Sequence, residues 1–390
     1  MKILLLSRGY APKKEPLWGC FELQQAEALQ RAGNDVIVAC VDDRLIAEDR
    51  FLRSIQLPGF KKHSKNNLKI YSIFFMARYV AIRFGFAFYK KLYDWQYCKL
   101  YDKIVARHGV PDVIYSHFLR TNYFAANLHE KYGVPVVGVE HWSELNKPII
   151  SSYVKKLGEL TYPRLNRLIC VSSVLSNRIK EVFGVNSDVI NNIVDINFDN
   201  KGRFKRDDNK IKMVTVARLT PQKKINHILD ALYKANLPNN IWELKIIGNG
   251  PLERILKQQT KELGLSHNVH YLGIKPHDEV CRILSESDFF VLASDYETFG
   301  VVFIEAMSFG LPVIGTRCGG PETIINDDNG ILVENGDIDG LSEAIKTMMK
   351  TYKNYSAESI IKEVKDKYSP SAIVLQIEKV LKKAIEENKK

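Results

Sequence analysis

The 390-residue sequence predicts an α/β protein of two domains, each built on a doubly wound parallel sheet. The length suits two cores of ordinary domain size. Apolar, β-branched runs bounded by turn residues alternate with helical segments, and they do so in two separate series. A polar and basic stretch, residues 199–210, stands between the series and reads as a linker.

The first series predicts strands at residues 2–6, 35–41, 112–116, 135–140 and 168–172, and the second at 211–217, 243–248, 269–272, 289–293 and 312–316. Residues 1–200 then form the first domain and 201–370 the second. An amphipathic pattern over 371–390 follows Ser369-Pro370 and predicts a last helix that packs back on the first domain. Residues 71–101 break the alternation, with twelve aromatic residues interleaved with Arg78, Arg83, Lys90, Lys91 and Lys99. Each arginine would cost ~2.5–3.5 kcal/mol near a bilayer centre, which excludes a spanning helix. An interfacial helix with its rings at headgroup depth and a pair of core helices with solvated basic edges both fit the pattern.

With 45% hydrophobic and 26% charged residues, the composition excludes a disordered, collagen-like or channel-forming chain. Cysteines at 20, 40, 98, 170, 281 and 318 are scattered with no C-x-x-C pair, so neither a zinc site nor a disulfide framework is indicated, and a reducing compartment fits. Only four apolar residues, Ile3 to Leu6, follow Met1-Lys2, too few for a signal-peptide core, so a cytoplasmic protein is expected. Fifty-six Lys and Arg against 45 Asp and Glu give a net charge of +11, which biases the surface toward nucleotides, anionic lipids or nucleic acid without choosing among them.

The densest chemical signal runs from Ser294-Asp295-Tyr296-Glu297 through Phe299-Gly300-Val301 and Glu305 to Gly310-Leu311-Pro312-Val313. A buried strand should end near Ala293, and a helix should open near Phe299 and stop before Gly310. The N–H groups around Phe299, Gly300 and Val301 would then face an anion. Glu297 precedes that helix, while Glu305 lies five residues past Gly300, about 7.5 Å along the axis. The two carboxylates bracket a phosphate site, and each can accept hydrogen bonds from hydroxyl-rich groups on either side of a pyrophosphate. Taken alone, two glutamates at this spacing are ordinary helix-surface charges. The flanking glycines, the strand before and the Pro-Val strand after set them apart.

The E-x7-E pattern of Glu297 and Glu305, with its Gly310-Leu311-Pro312-Val313 continuation, resembles retaining glycosyltransferase family 4. Further positions match. Val216-Ala217-Arg218-Leu219-Thr220-Pro221-Gln222-Lys223 sets Arg218 at a strand end and Lys223 in a first helical turn capped by Thr220, where a lysine opposes the helix dipole unless an anion is bound. The resemblance implies that Arg218 and Lys223 bind the donor pyrophosphate; the plain alternative is a solvated basic turn. Lys224 stands where the family usually has glycine. Gly248 and Gly250, in Ile247-Gly248-Asn249-Gly250-Pro251, form a turn similar to the one beside the family's donor, and Gly319-Gly320 resembles its Gly-Gly loop. In the first domain His141, within Val139-Glu140-His141-Trp142, matches the position facing the donor sugar; Gly19 is carried over to donor or acceptor contact. His117 also follows a strand end but reads as structural, and Asn192-Ile193-Val194-Asp195 as a join between domains.

The resemblance implies the GT-B fold of two facing Rossmann-like domains and a metal-independent enzyme whose nucleotide-sugar, a UDP-sugar, is substrate rather than cofactor. Glu305 would hold the ribose, with Glu297 and His141 beside the reacting sugar. The implied acceptor is a glycan or lipid-linked glycan in surface polysaccharide or glycoconjugate synthesis, at an anionic membrane surface on the cytoplasmic side, with no nucleic acid partner. A nucleotide-sugar epimerase on the same architecture would form product without an acceptor. A catalytically silent nucleotide-sugar-binding subunit would have no need of Glu297, Glu305, Arg218 and Lys223 together. Neither G-x-G-x-x-G nor a Walker sequence is present.

Overall fold

The computed structural model describes residues 1–9, 19–42, 59–74, 86–147, 149–194 and 210–389. The chain divides into two compact units, one of Met1–Ile193 with Ile373–Lys390 and one of Val194–Ala372. The first division falls earlier than the polar stretch suggests because Val194 N–H already donates to Tyr368 O of the second unit, at 3.1 Å. Residues 195–209, which include most of that stretch, lie outside the described residues.

The first unit holds strands β1 (Lys2–Leu6), β2 (Asp35–Asp42), β3 (Gly59–Lys65), β4 (Leu68–Phe74), β5 (Val113–His117), β6 (Val136–Glu140), β7 (Arg167–Cys170) and β8 (Asp188–Val189). They form one sheet in the order β3-β4-β2-β1-β5-β6-β7-β8. All neighbours are parallel except β3 and β4, whose hairpin turns through Asn66 and Asn67 at φ 49° and 65°. The connecting helices are α1 (Cys20–Arg31), α2 (Phe86–His108), α3 (Leu119–Tyr132), α4 (Ser152–Glu159) and α5 (Ser173–Phe183). Central strands such as β1 read as unbroken apolar runs because helices cover both faces of the sheet.

The aromatic stretch resolves into two kinds of residue. Tyr71 of β4 and Tyr93, Tyr97 and Tyr101 of α2 are buried in the core with Leu4, Ile37 and Phe124, whereas Phe88 and Trp95 are exposed. The core reading therefore holds for these four tyrosines. Residues 75–85 of the stretch, with Arg78 and Arg83, lie outside the described residues. Among the described residues no helix is long and apolar enough to cross a membrane.

The second unit holds β9 (Ile211–Val216), α6 (Ile225–Ala235), β10 (Trp242–Ile247), α7 (Glu253–Glu262), β11 (Val269–Gly273), α8 (His277–Ser285), β12 (Phe289–Leu292), α9 (Val301–Met307), β13 (Val313–Thr316), β14 (Gly330–Val333), α10 (Ile338–Thr351) and α11 (Ala357–Tyr368). Its parallel sheet runs β11-β10-β9-β12-β13-β14. Strand order reverses between β1 and β5 in one unit and between β9 and β12 in the other, and the carboxyl edge at such a point is where doubly wound sheets bind ligands. The last helix, α12 (Pro370–Glu387), returns to the first unit. Arg167 grips Glu387 with two bonds of 3.0 and 2.6 Å, and Asn34 Nδ2 donates to Glu378 at 2.7 Å.

Candidate active site

In the second unit, β9 and β12 lie side by side, and the chain leaves them through Ala217-Arg218 and through Ser294. The two exits are laced together. Asp295 N–H donates to Gln222 O at 2.8 Å, Gln222 Nε2 donates to Tyr296 O at 2.8 Å, and Lys224 pairs with Asp295 at 3.1 Å. Within this lacing Lys223 Nζ meets Glu297 Oε1, and the same oxygen accepts Ser294 Oγ–H at 2.7 Å. A third loop adds to it, since Glu297 N–H donates to Cys318 O and its carbonyl accepts from Gly320 N–H.

The environment of Lys223 differs from the one read in the sequence. Thr220 makes no side-chain cap; Pro221–Lys223 is a single 3-10 turn, and Lys224 then takes the left-handed conformation at φ 44° before α6 starts. Lys223 thus precedes the helix rather than sitting in its first turn, and the dipole argument for it fails. What holds it is the Glu297 carboxylate. Arg218, by contrast, is exposed and makes no ion pair among the described residues.

Gly300 caps α9 in the left-handed conformation at φ 97°, and Phe299 behind it is buried. Glu305 lies on the same short helix, where burial raises its carboxyl above the usual range while the His277 imidazole pulls it down. Gly248 and Gly250 also reach this edge, but the space they leave faces protein. A Cβ on Gly248 would stand 2.0 Å from Ala217 O, and one on Gly250 2.3 Å from Leu219 O. These glycines let the turn after β10 close on the exit of β9. Gly320 does the same for Phe299 O, at 2.1 Å.

The carboxyl edge of the first unit carries a buried histidine pair. His117 Nδ1 and His141 Nε2 are 3.0 Å apart, their rings stack at 5.2 Å, and Phe118 and Phe21 stack on His141 at 4.9 and 5.9 Å. Burial pushes His117 down to about 3 and His141 well below its usual value, so both are neutral at physiological pH. His117, read from sequence as merely structural, is the direct partner of His141. Beside them Arg8 Nε donates to Glu22 Oε1 at 3.0 Å and its guanidinium lies 3.4 Å from the Phe118 ring centroid. Neither Arg8 nor Glu22 was signalled by a motif; the one clue is that Arg8 follows β1 at the reversal point. Gly19, at φ 75°, caps α1, and a Cβ there would meet Gly9 O at 2.5 Å.

Glu140 fixes the backbone that presents His141. Its Oε1 accepts from the N–H groups of His141 and Trp142, both at 3.0 Å, and its Oε2 from Tyr162 OH at 2.9 Å. Burial outweighs these bonds and pushes the carboxyl from 4.5 up to about 7. The folded state therefore holds this proton more tightly than the unfolded one. Its contribution is fully present below about pH 4.5 and is lost as pH rises through about 7, a change of order 3 kcal/mol for so large a shift. Glu140→Gln keeps an oxygen for the two N–H groups and presents an amide donor to Tyr162. Urea unfolding at several pH values should show this variant losing less stability than the parent between pH 4.5 and 7; identical slopes would exclude Glu140 as the source.

Two doubly wound parallel sheets in one chain, each with polar side chains gathered at its reversal point, define the GT-B class. The chain aligns with a TM-score of 0.74 and 20% identity to HepE of Anabaena, solved in complex with UDP, over 98% of this chain and 100% of that one. Residues 23–198 match the model of Glycosyltransferase Family 4, and residues 197–367 that of Glycosyl transferases group 1. The protein belongs to the GT-B glycosyltransferases of these groups. An uncharacterised glycosyltransferase of Methanocaldococcus jannaschii is 28% identical over 298 residues, covering 70% of this chain and 76% of that protein. The N-acetyl-alpha-D-glucosaminyl L-malate synthase of Bacillus anthracis is 28% identical over 254 residues, 58% of this chain and 65% of that protein.

Proposed function

We propose that the protein transfers a sugar from a UDP-sugar to a glycan or lipid-linked glycan with retention of anomeric configuration. The observation that carries this reading is the cluster of Lys223, Glu297 and Ser294 beside Arg218 at the reversal point of the second sheet. Arg218 and Lys223 hold the diphosphate and neutralise the charge that grows on it as the glycosidic bond breaks. Glu305 takes the ribose hydroxyls, and Glu297 and His141 address the sugar. The mechanism of this reading is same-face substitution, the leaving phosphate accepting the acceptor's proton, in place of a double displacement by paired carboxylates. HepE, solved with UDP, supports the choice of base.

With two cations supplied by the protein, transfer is expected to proceed in the presence of chelator. A thermal-shift screen of sugar nucleotides in EDTA tests both parts. A ligand at 100 times its dissociation constant adds ~2.7 kcal/mol, which for a unit of this size raises the midpoint by roughly 5–10 °C. UDP-sugars should do so and ADP- or GDP-sugars should not. No shift with any sugar nucleotide, or shifts that require a divalent ion, would overturn the reading.

We also propose reversible attachment to an anionic membrane surface through α2. On this helix Asp94 accepts from Asn127 Nδ2 at 2.7 Å and Asp102 from Tyr132 OH at 2.8 Å, while Lys91, Trp95 and Lys99 are exposed. The ammonium of Lys99 lies 4.7 Å from the Trp95 ring centroid. Basic residues near such a surface contribute about 1 kcal/mol each, screened by salt. Vesicles containing phosphatidylserine should sediment the protein at low salt and release it at high salt, and charge reversal at Lys91 and Lys99 should weaken the binding. Equal recovery in the supernatant under all conditions would reject the proposal.

A further inference from the structure

Lys223 and Glu297 neutralise each other in the free protein, yet the proposed function asks them to serve different parts of the donor. The Lys223 and Glu297 side chains are only 19% and 10% exposed, so water screens their attraction little. The three groups at this point differ in how they are held. Glu297 is pinned through its backbone on both sides, by Cys318 O and by Gly320 N–H. Ser294 is 1% exposed, and its carbonyl accepts from Thr316 Oγ1 at 2.6 Å. Lys223 hangs on a four-carbon stem with three rotatable donors, the longest and most flexible side chain of the three.

We propose that Lys223 changes partner when the donor arrives, leaving Glu297 for the diphosphate, and that the Ser294 hydroxyl is the positioning group that keeps the Glu297 carboxylate aimed once the ammonium has gone. This rests on the reading of the site as a nucleotide-sugar site. Binding of the diphosphate then has to break an internal ion pair and to approach an anion, so Glu297 opposes nucleotide binding while serving turnover. Ser294 does neither directly. It touches Glu297 and no part of the donor, and its loss should be felt after binding.

UDP is the probe for the first half, titrated by calorimetry into the full chain. Glu297→Gln frees Lys223 and removes the like charge, and UDP should bind about two- to fivefold tighter, the equivalent of a sheltered pair of modest strength. Arg218→Ala, which takes no part in the exchange, should weaken UDP in either case. If Arg218→Ala weakens UDP and Glu297→Gln does not tighten it, the exchange is wrong and the site stands. If neither variant changes UDP affinity, the site reading falls and the proposal with it. For the second half, Ser294→Ala should keep UDP affinity within about twofold and lower kcat roughly tenfold or more, with the KM for the UDP-sugar little changed, as expected for loss of an interaction used after binding. Turnover is read as UDP released from the UDP-sugar giving the largest thermal shift. Ser294→Thr, which retains the hydroxyl, should recover most of it. A Ser294→Ala variant with parental kcat, or one that loses UDP affinity in step with kcat, would overturn the positioning role.

Discussion

Glu297→Gln is expected to lower turnover at saturating donor by about two to three orders of magnitude, the scale seen when one polar group that acts on the transition state is removed. Glu305→Gln should instead act on binding, weakening UDP with a smaller effect on turnover once donor saturates. The division follows from placement. Glu297 stands at the exit of β12, tied to Lys223 and Ser294, where the bond to the sugar would break. Glu305 lies further along α9, half-buried, where burial raises its carboxyl. Both substitutions preserve shape, so the comparison reports chemistry rather than folding. UDP affinity and saturated turnover, measured on both variants, decide it. Should Glu305→Gln bind UDP as tightly as the parent while Glu297→Gln loses that binding, the donor lies in the site the other way round.

A second large effect is expected on stability. Gly248→Ala would place a methyl group 2.0 Å from Ala217 O, a backbone atom, at a residue whose φ is +124°. Crowding and backbone strain together should cost about 3–5 kcal/mol. Gly133 is the control, because it also has positive φ, +72°, but a Cβ there meets nothing within 4 Å. Gly133→Ala should cost only about 1 kcal/mol, the backbone penalty alone. Heat or urea unfolding of the two variants measures the difference, and similar losses would show that the turn after β10 has room to yield.

These glycines also show where the sequence stops being informative. Gly248 and Gly250 stand in a turn whose close approach to Ala217 and Leu219 has no local trace in the sequence. The long apolar strands were legible because burial on both faces leaves an unmistakable run, as in β1, β2 and β12. The hairpin of β3 and β4 was not, because β3 reads Gly-Phe-Lys-Lys-His-Ser-Lys and carries almost no apolar signal; Asn66-Asn67 alone marked the turn. The short β14 was also missed. At the site, Arg218, Lys223, Glu297 and Glu305 stand in segments whose local pattern marks them, and the structure brings Lys223 onto Glu297. Pairings across sequence left no local trace, as with His117 and His141, 24 residues apart, and Arg8 and Glu22, 14 apart. The pairing of Lys223 with Glu297 likewise spans 74 residues, and no local rule predicts it.

The return of α12 to the first unit has a consequence for the order in which the molecule is made. Ile373, Ile377, Leu381 and Ala384 are fully buried, and the same helix is tied to Asn34 and Arg167. Residues 194–369 of the second unit are synthesised before this helix begins. At ribosomal rates of about 5–20 residues per second, the first unit waits roughly 10–40 s with the apolar seat of its last helix uncovered. The second unit, continuous in sequence, carries no such delay, so during synthesis it is the first-made half of the protein that finishes last.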